Sequence, residues 1–127
     1  MSWNLSSDRP VFMQIVEHIE LDIVSGKLPP GAKFPSVRDL AAEAAVNPNT
    51  MQRALSELER KELLRTDRTV GRFVTYDKTV IERHKKEIAS SSVSAFIIQM
   101  KKMGLDKDEV CRLINENYQT DTTKEEK

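Results

Sequence analysis

The chain has 127 residues, enough for one domain or for one domain with a small appendage. Its 20 basic and 20 acidic residues cancel, so there is no overall attraction to a polyanion, and what counts is the local field at a contact face. One cysteine, Cys111, excludes an internal disulfide and a multi-cysteine zinc site; with no signal peptide and no long apolar run, a cytoplasmic protein is expected.

Residues 1–7 form a short lead-in, whose Trp3 and Leu5 either pack back on the domain or are loosely held. Asp8 followed by Pro10 signals a helix start. Phe12, Ile15, Val16, Ile19 and Ile23 recur at helical spacing, which predicts a helix from Pro10 to about Val24 with one buried stripe and Gly26 as its C′ residue. Leu28-Pro29-Pro30-Gly31 is a rigid turn: the prolines fix φ, and Gly31 can take the positive φ of a type II turn.

Ser36 to Leu58 organises the chain. Ser36 is an N-cap with Asp39 three residues later, and Val37, Leu40, Ala41 and Ala44 are spaced i, i+3, i+4, i+7. The turn is Ala45-Val46, with Val46 plugging the corner. Asn47 caps a second helix with Pro48 at its first position, where a missing N–H costs nothing. That helix buries Met51, Ala54, Leu55 and Leu58 and leaves Asn49, Gln52, Arg53 and Ser56 outside. This is a helix-turn-helix pattern whose second helix carries residues that bond to base edges and phosphates.

The helix is expected to end near Glu62, with Leu63 and Leu64 returning to the core. Arg65 to Val74 reads as two short strands around a turn near Arg68–Gly71, packed on the helices through Leu64, Val70, Phe73 and Val74. Tyr76 to Thr79 is expected to be a hinge. From Val80, a periodic set from Ile81 to Met103 predicts one long helix, with a bend where Ser90-Ser91-Ser92 interrupts good helix formers. Gly104 closes it. Asp106 and Glu109 form another capping box, and Val110, Leu113, Ile114 and Tyr118 predict a last helix of about three turns. Residues 121–127 are expected to be a disordered tail.

The run Leu28 to Leu64, with PPG, then PSVRDLA, then VNPNTMQRAL, resembles the winged-helix domain of GntR-type bacterial transcription regulators, and the likeness extends from about Arg9 to Val74. VNPNT and the short C-terminal extension look most like the YtrA-type branch. The resemblance implies a mainly α fold with a small β-wing: a winged helix-turn-helix DNA-binding domain over 9–77, then a short two-helix dimerisation region over 78–120. It also implies a homodimeric regulator of double-stranded DNA, a repressor on an inverted-repeat operator. The alternative is a winged-helix protein-interaction module that does not bind DNA. Arg38 would touch the DNA backbone, as the family's matching arginine does; read alone, it is a surface arginine pairing with Asp39 or Glu43.

The expected DNA-binding set is Ser36, Arg38, Asn47, Asn49, Thr50, Gln52, Arg53, Arg65, Arg68, Gly71 and Arg72. Asn47, Asn49 and Thr50 occupy the positive end of the second helix, where a phosphate is welcome, although Asn47 is equally explained by capping alone. Gln can pair with adenine, and Arg with guanine, through two hydrogen bonds. The commoner family pattern has arginines where Pro48 and Gln52 stand, so contacts of those arginines do not carry over. Arg65, Arg68 and Arg72 crowd the wing against Asp67 alone; they suit a phosphate track or minor groove, or are charged hairpin edges that resist aggregation. The wing is also poorer in glycine than is usual for the family, with Gly71 alone between Gly31 and Gly104.

Ile88, Phe96, Ile97, Met100, Leu113 and Ile114 are the expected dimer interface. Two helices cannot enclose a sizeable pocket, so a small-molecule effector has no evident place. His18 and His84 lack companions at ligand spacing and read as surface or half-buried side chains, and Cys111 as packing. No catalytic constellation is present in the sequence, so neither an enzyme activity, a metal nor a cofactor is expected.

Overall fold

The computed structural model describes residues 3–125, with side chains described as far as Gln119. The elements in order are α1 (Val11–Val24), α2 (Val37–Ala44), α3 (Pro48–Arg60), β1 (Leu64–Asp67), β2 (Gly71–Val74), α4 (Lys78–Lys102) and α5 (Lys107–Glu125). Two compact units divide within α4, after Glu87. The boundary therefore falls inside a helix, not at the hinge expected near 77; Lys78 and Thr79 are already helical.

The first unit is a winged helix-turn-helix. Ile15, Ile19 and Ile23 of α1 meet Leu40 of α2 and Met51, Leu55 and Leu58 of α3 in one core, all essentially without solvent exposure. The caps act as their chemistry requires. Ser36 Oγ accepts the Asp39 N–H at 3.1 Å and Asn47 Oδ1 accepts the Asn49 N–H at 2.7 Å. The turn between α2 and α3 places Ala45 in the left-handed region at φ 57°, and the Val46 N–H returns to the Ala41 carbonyl at 3.0 Å. Val46 packs against the core at that corner.

The lead-in is held. Gln14, buried on α1, accepts the Ser6 N–H at 2.7 Å and donates to the Ser6 and Arg9 carbonyls at 2.8 and 2.9 Å. Trp3 lies 4.5 Å from the His18 ring and donates to Glu43 at 3.2 Å.

The wing strands pair antiparallel, Leu64 opposite Val74 and Asp67 opposite Gly71. Val70 and Phe73 were both expected to reach the core, and neither does. Val74 is buried, so its neighbour Phe73 faces the other side of the sheet, and Val70 sits exposed in the turn. A third rung comes from the segment before α2: Lys33 bridges Phe73, the Phe34 N–H donates to the Arg72 carbonyl at 2.8 Å, and the Val74 N–H donates to the Ala32 carbonyl at 2.8 Å.

Just before that rung, Ala32 N–H closes the proline turn on the Pro29 carbonyl at 3.1 Å, with Gly31 at φ +80°. A Cβ on Gly31 would stand 2.3 Å from Cε1 of Tyr76. Gly31→Ala is expected to lower stability by about 1–2 kcal/mol from backbone strain, with the Tyr76 ring displaced. Urea unfolding measures it, and an unchanged midpoint would refute the strain argument.

The first turns of α4 pack on this unit. Val80 is buried, and His84 is buried in a polar cluster with Glu20 of α1 and Lys61 at the end of α3. His84 Nε2 lies 3.0 Å from the Lys61 carbonyl and Nδ1 lies 3.4 Å from the Glu20 carboxylate, which also holds the Lys61 ammonium at 3.3 Å. A surface or half-buried position was expected for His84; the Lys61 carbonyl gives its buried ring a hydrogen-bond partner.

The second unit comprises the rest of α4 and α5. Ser90-Ser91-Ser92 makes no interruption, since α4 is one helix of 25 residues. At its end Gly104 takes φ +83° and the Leu105 N–H reaches back to the Met100 carbonyl at 3.1 Å. The capping box at α5 closes both ways: Glu109 N–H to Asp106 Oδ1 at 2.9 Å, and Asp106 N–H to Glu109 Oε1 at 3.0 Å. The α5 backbone runs on to Glu125, into the expected tail; Glu126 and Lys127 lie outside the described residues. Cys111, expected as packing, is exposed. Among the described residues of this unit no side chain is buried.

Candidate nucleic-acid interface

Because α3 buries Met51, Ala54, Leu55 and Leu58, its opposite face is fixed by the 100° step and presents Asn49, Gln52, Arg53 and Ser56 to solvent. Asn47 uses its side-chain oxygen on the Asn49 N–H, so the capping role is filled. Thr50 is half-buried and Asn49 exposed in the first turn. The Gln52 amide donates to Ser56 Oγ at 3.1 Å, one turn on. Arg53 does not extend freely: its guanidinium carbon lies over the Phe12 ring of α1, 4.2 Å from the centroid. The remaining cation of α3, Arg60, is paired with Glu57.

Arg38 stands exposed in the first turn of α2. Ser36 is exposed, and its Oγ caps α2 by accepting the Asp39 N–H, which leaves its hydroxyl hydrogen to donate.

The wing arginines separate into two kinds. Arg65 alternates onto the outer face of the sheet opposite Phe73, and Arg68 lies in the turn, both exposed. Arg72 is on the inner face with Thr66, and both meet Glu59 of α3: Arg72 Nε donates to Oε1 at 3.1 Å, with the arginine side chain only 17% exposed. Arg72 thus braces the wing on α3. The turn is built by Asp67, whose carboxylate accepts the Thr69 N–H at 2.9 Å and the Thr69 hydroxyl at 2.7 Å. Those bonds, the hydroxyl's first, hold the Asp67 carboxyl below its ordinary pKa. Gly71 follows at φ +118°, opposite Asp67.

A groove of about 590 Å³ runs between the wing turn and the start of α2, and it brings Ser36, Arg68, Gly71 and Arg72 together. Arg38, Arg65 and the α3 side chains do not line it. Lys33 does, and sequence reasoning passed over it. The PPGAKF run reads as a turn, and a one-residue bridge to a strand forty residues on leaves no periodicity to find. Phe12 was placed only in the buried stripe of α1, although it is half-buried and shares its ring with Arg53. No cluster of three or more potential metal ligands occurs among the described residues, and no described helix is long and apolar enough to cross a membrane.

Comparison with known proteins agrees with this architecture. Residues 13–74 match the model of the bacterial regulatory proteins of the gntR family. The HTH-type transcriptional regulator YhcF of Bacillus subtilis (strain 168) is 36% identical over 110 residues, spanning 87% of this chain and 91% of that protein. The HTH-type transcriptional repressor YtrA of the same organism is 31% identical over 111 residues, 87% of this chain and 85% of its own length. Among solved structures, a GntR family transcriptional regulator from Listeria monocytogenes superposes with a TM-score of 0.84 at 38% identity, covering 88% of this chain and 98% of that one. Since the likeness runs through the wing and on into the C-terminal helices over nearly the full length of such relatives, this chain belongs to the GntR family of bacterial transcriptional regulators.

Proposed function

We propose that the protein is a cytoplasmic repressor that binds an inverted-repeat operator as a homodimer, reading bases with α3 and phosphates with α2 and the wing. The observation that carries this reading is the outer face of α3: short amides and hydroxyls, one aromatic-held arginine, and no apolar anchor of the kind a protein partner would need. Arg38 of α2 and Arg65 and Arg68 of the wing are exposed and suit phosphate contacts. The repressor sign is supported by the name of one relative, YtrA. Dimerisation through 78–120 is supported by the bare apolar faces of α4 and α5, where Phe96, Ile97, Leu113 and Ile114 are all exposed in the single chain and Ile88 and Met100 are half-buried. Two-fold symmetry then sets half-site centres about one helical turn apart, roughly 10 bp.

Arg53→Ala is expected to cost about 1–3 kcal/mol on the preferred operator and to relax selectivity at one base pair. Arg38→Ala is expected to weaken all duplexes alike and to reduce the salt slope of the dimer by about two, one contact per protomer. Anisotropy titrations at several salt concentrations, against genomic fragments and random duplex, measure both. Finding no fragment bound more tightly than random DNA would refute operator binding and favour the protein-interaction alternative.

A further inference from the structure

We propose that Phe12 is the positioning residue for Arg53, its ring fixing where the recognition helix presents the guanidinium to DNA. The inference rests on the reading of α3 as the base-contacting helix. An arginine can be held in two ways, and the difference decides whether it can still bind. When a carboxylate holds it, the planar fork of N–H groups is consumed. Arg9 is held so by Glu17 at 2.6 Å, Arg72 by Glu59 at 3.1 Å, and Arg60 by Glu57. When an aromatic ring holds it, the contact is made with the face of the cation and the N–H edges stay uncommitted. Among the described contacts Arg53 is held in this second way, 4.2 Å from the Phe12 centroid, with no carboxylate partner.

Phe12 suits the task. It is half-buried at the start of α1, packed against the core, and so its ring is anchored by α1 while one face remains open. α1 and α3 share the core, so the ring's position relative to α3 is set by packing. Rotamer freedom of Arg53 is surrendered on folding and not on binding, which favours a single reading geometry. Glu17 and Glu57, which line one cavity with Phe12, are each engaged by another arginine, Arg9 and Arg60, and not by Arg53.

The test is a double-mutant cycle on the full chain, with the duplex that the wild-type protein selects from a random-sequence library as probe. Phe12→Leu keeps the apolar anchor and removes the ring; Phe12→Tyr keeps the ring. Circular dichroism establishes that each variant is folded. Phe12→Leu is expected to weaken the selected duplex by about 2- to 5-fold, the range of an exposed cation–π contact, and to broaden selection at the base pair that Arg53→Ala also broadens. Phe12→Tyr should restore both, and in the Arg53→Ala background Phe12→Leu should have no further effect. An equal loss from Phe12→Leu in both backgrounds, or no rescue by folded Phe12→Tyr, overturns the positioning role alone. An Arg53→Ala chain that binds as tightly as wild type overturns the base-contact reading beneath it, and the positioning role with it.

Discussion

Chains carrying Phe96→Glu and Ile97→Glu together are expected to sediment as monomers and to bind operator DNA 10²- to 10⁴-fold more weakly than wild type. Both residues lie on α4 with a large exposed surface, and the second unit has no buried side chain among its described residues that would offset it. Burying each such side chain is worth about 1.5–3 kcal/mol, and an isologous interface counts each one twice. Four carboxylates at the proposed seam would each have to be desolvated, which opposes association. On the proposed reading, the loss in DNA affinity comes from separating two half-sites that one dimer would hold intramolecularly. The winged unit should remain folded, with its own core untouched. Sedimentation and circular dichroism of the double variant read both outcomes. A variant that stays dimeric would assign dimerisation to other surfaces.

A fragment ended after Lys78 is expected to be less stable than one ended after Glu87 by roughly 3–6 kcal/mol. The shorter fragment loses Val80, a buried member of the core worth about 1.5–3 kcal/mol. It also loses His84, whose ring bonds the Lys61 carbonyl at the end of α3 and faces the Glu20 carboxylate. Stripping a partner from buried polar groups costs about 1–3 kcal/mol. Domains of this size have only about 5–15 kcal/mol in total, so the shorter fragment sits near the edge of folding. Urea unfolding of both fragments decides it, and equal midpoints would mean that the first turns of α4 are passengers.

That boundary was illegible in the sequence for a physical reason. Val80, Ile81 and Ile88 continue a helical period into Phe96 and Ile97 without a break, and periodicity reports that a face is apolar, not what covers it. His84 among Arg83, Lys85 and Lys86 looks like a solvated turn, and only the meeting of α1 and α3 gives its ring a hydrogen-bond partner. The helix-turn-helix was legible because its information is local: Ser36, Asn47 and Pro48 mark both helix starts, and the period of each helix assigns its inner face. The wing was half legible. Its strands and turn follow from the run of residues, but which of Phe73 and Val74 faces inward depends on pairing with Leu64. The same limit applies to the arginines. Spacing predicts a cluster at Arg65, Arg68 and Arg72; only tertiary placement shows that Glu59 holds Arg72.

The rung at Lys33–Phe34 has a mechanical meaning. Phe34 is separated from Ser36, the α2 N-cap, only by Pro35, and Arg72 and Val74 belong to the far strand of the wing, so the bonds from Phe34 to Arg72 and from Val74 to Ala32 clasp the chain on either side of the helix-turn-helix. Arg72 adds a second tie on the inside of the loop, to Glu59 of α3. The wing therefore cannot swing without pulling on the entrance of α2 and on the C-terminal end of α3 together. Wing tilt and helix placement are thereby coupled, so on the proposed reading a duplex would meet them as one surface.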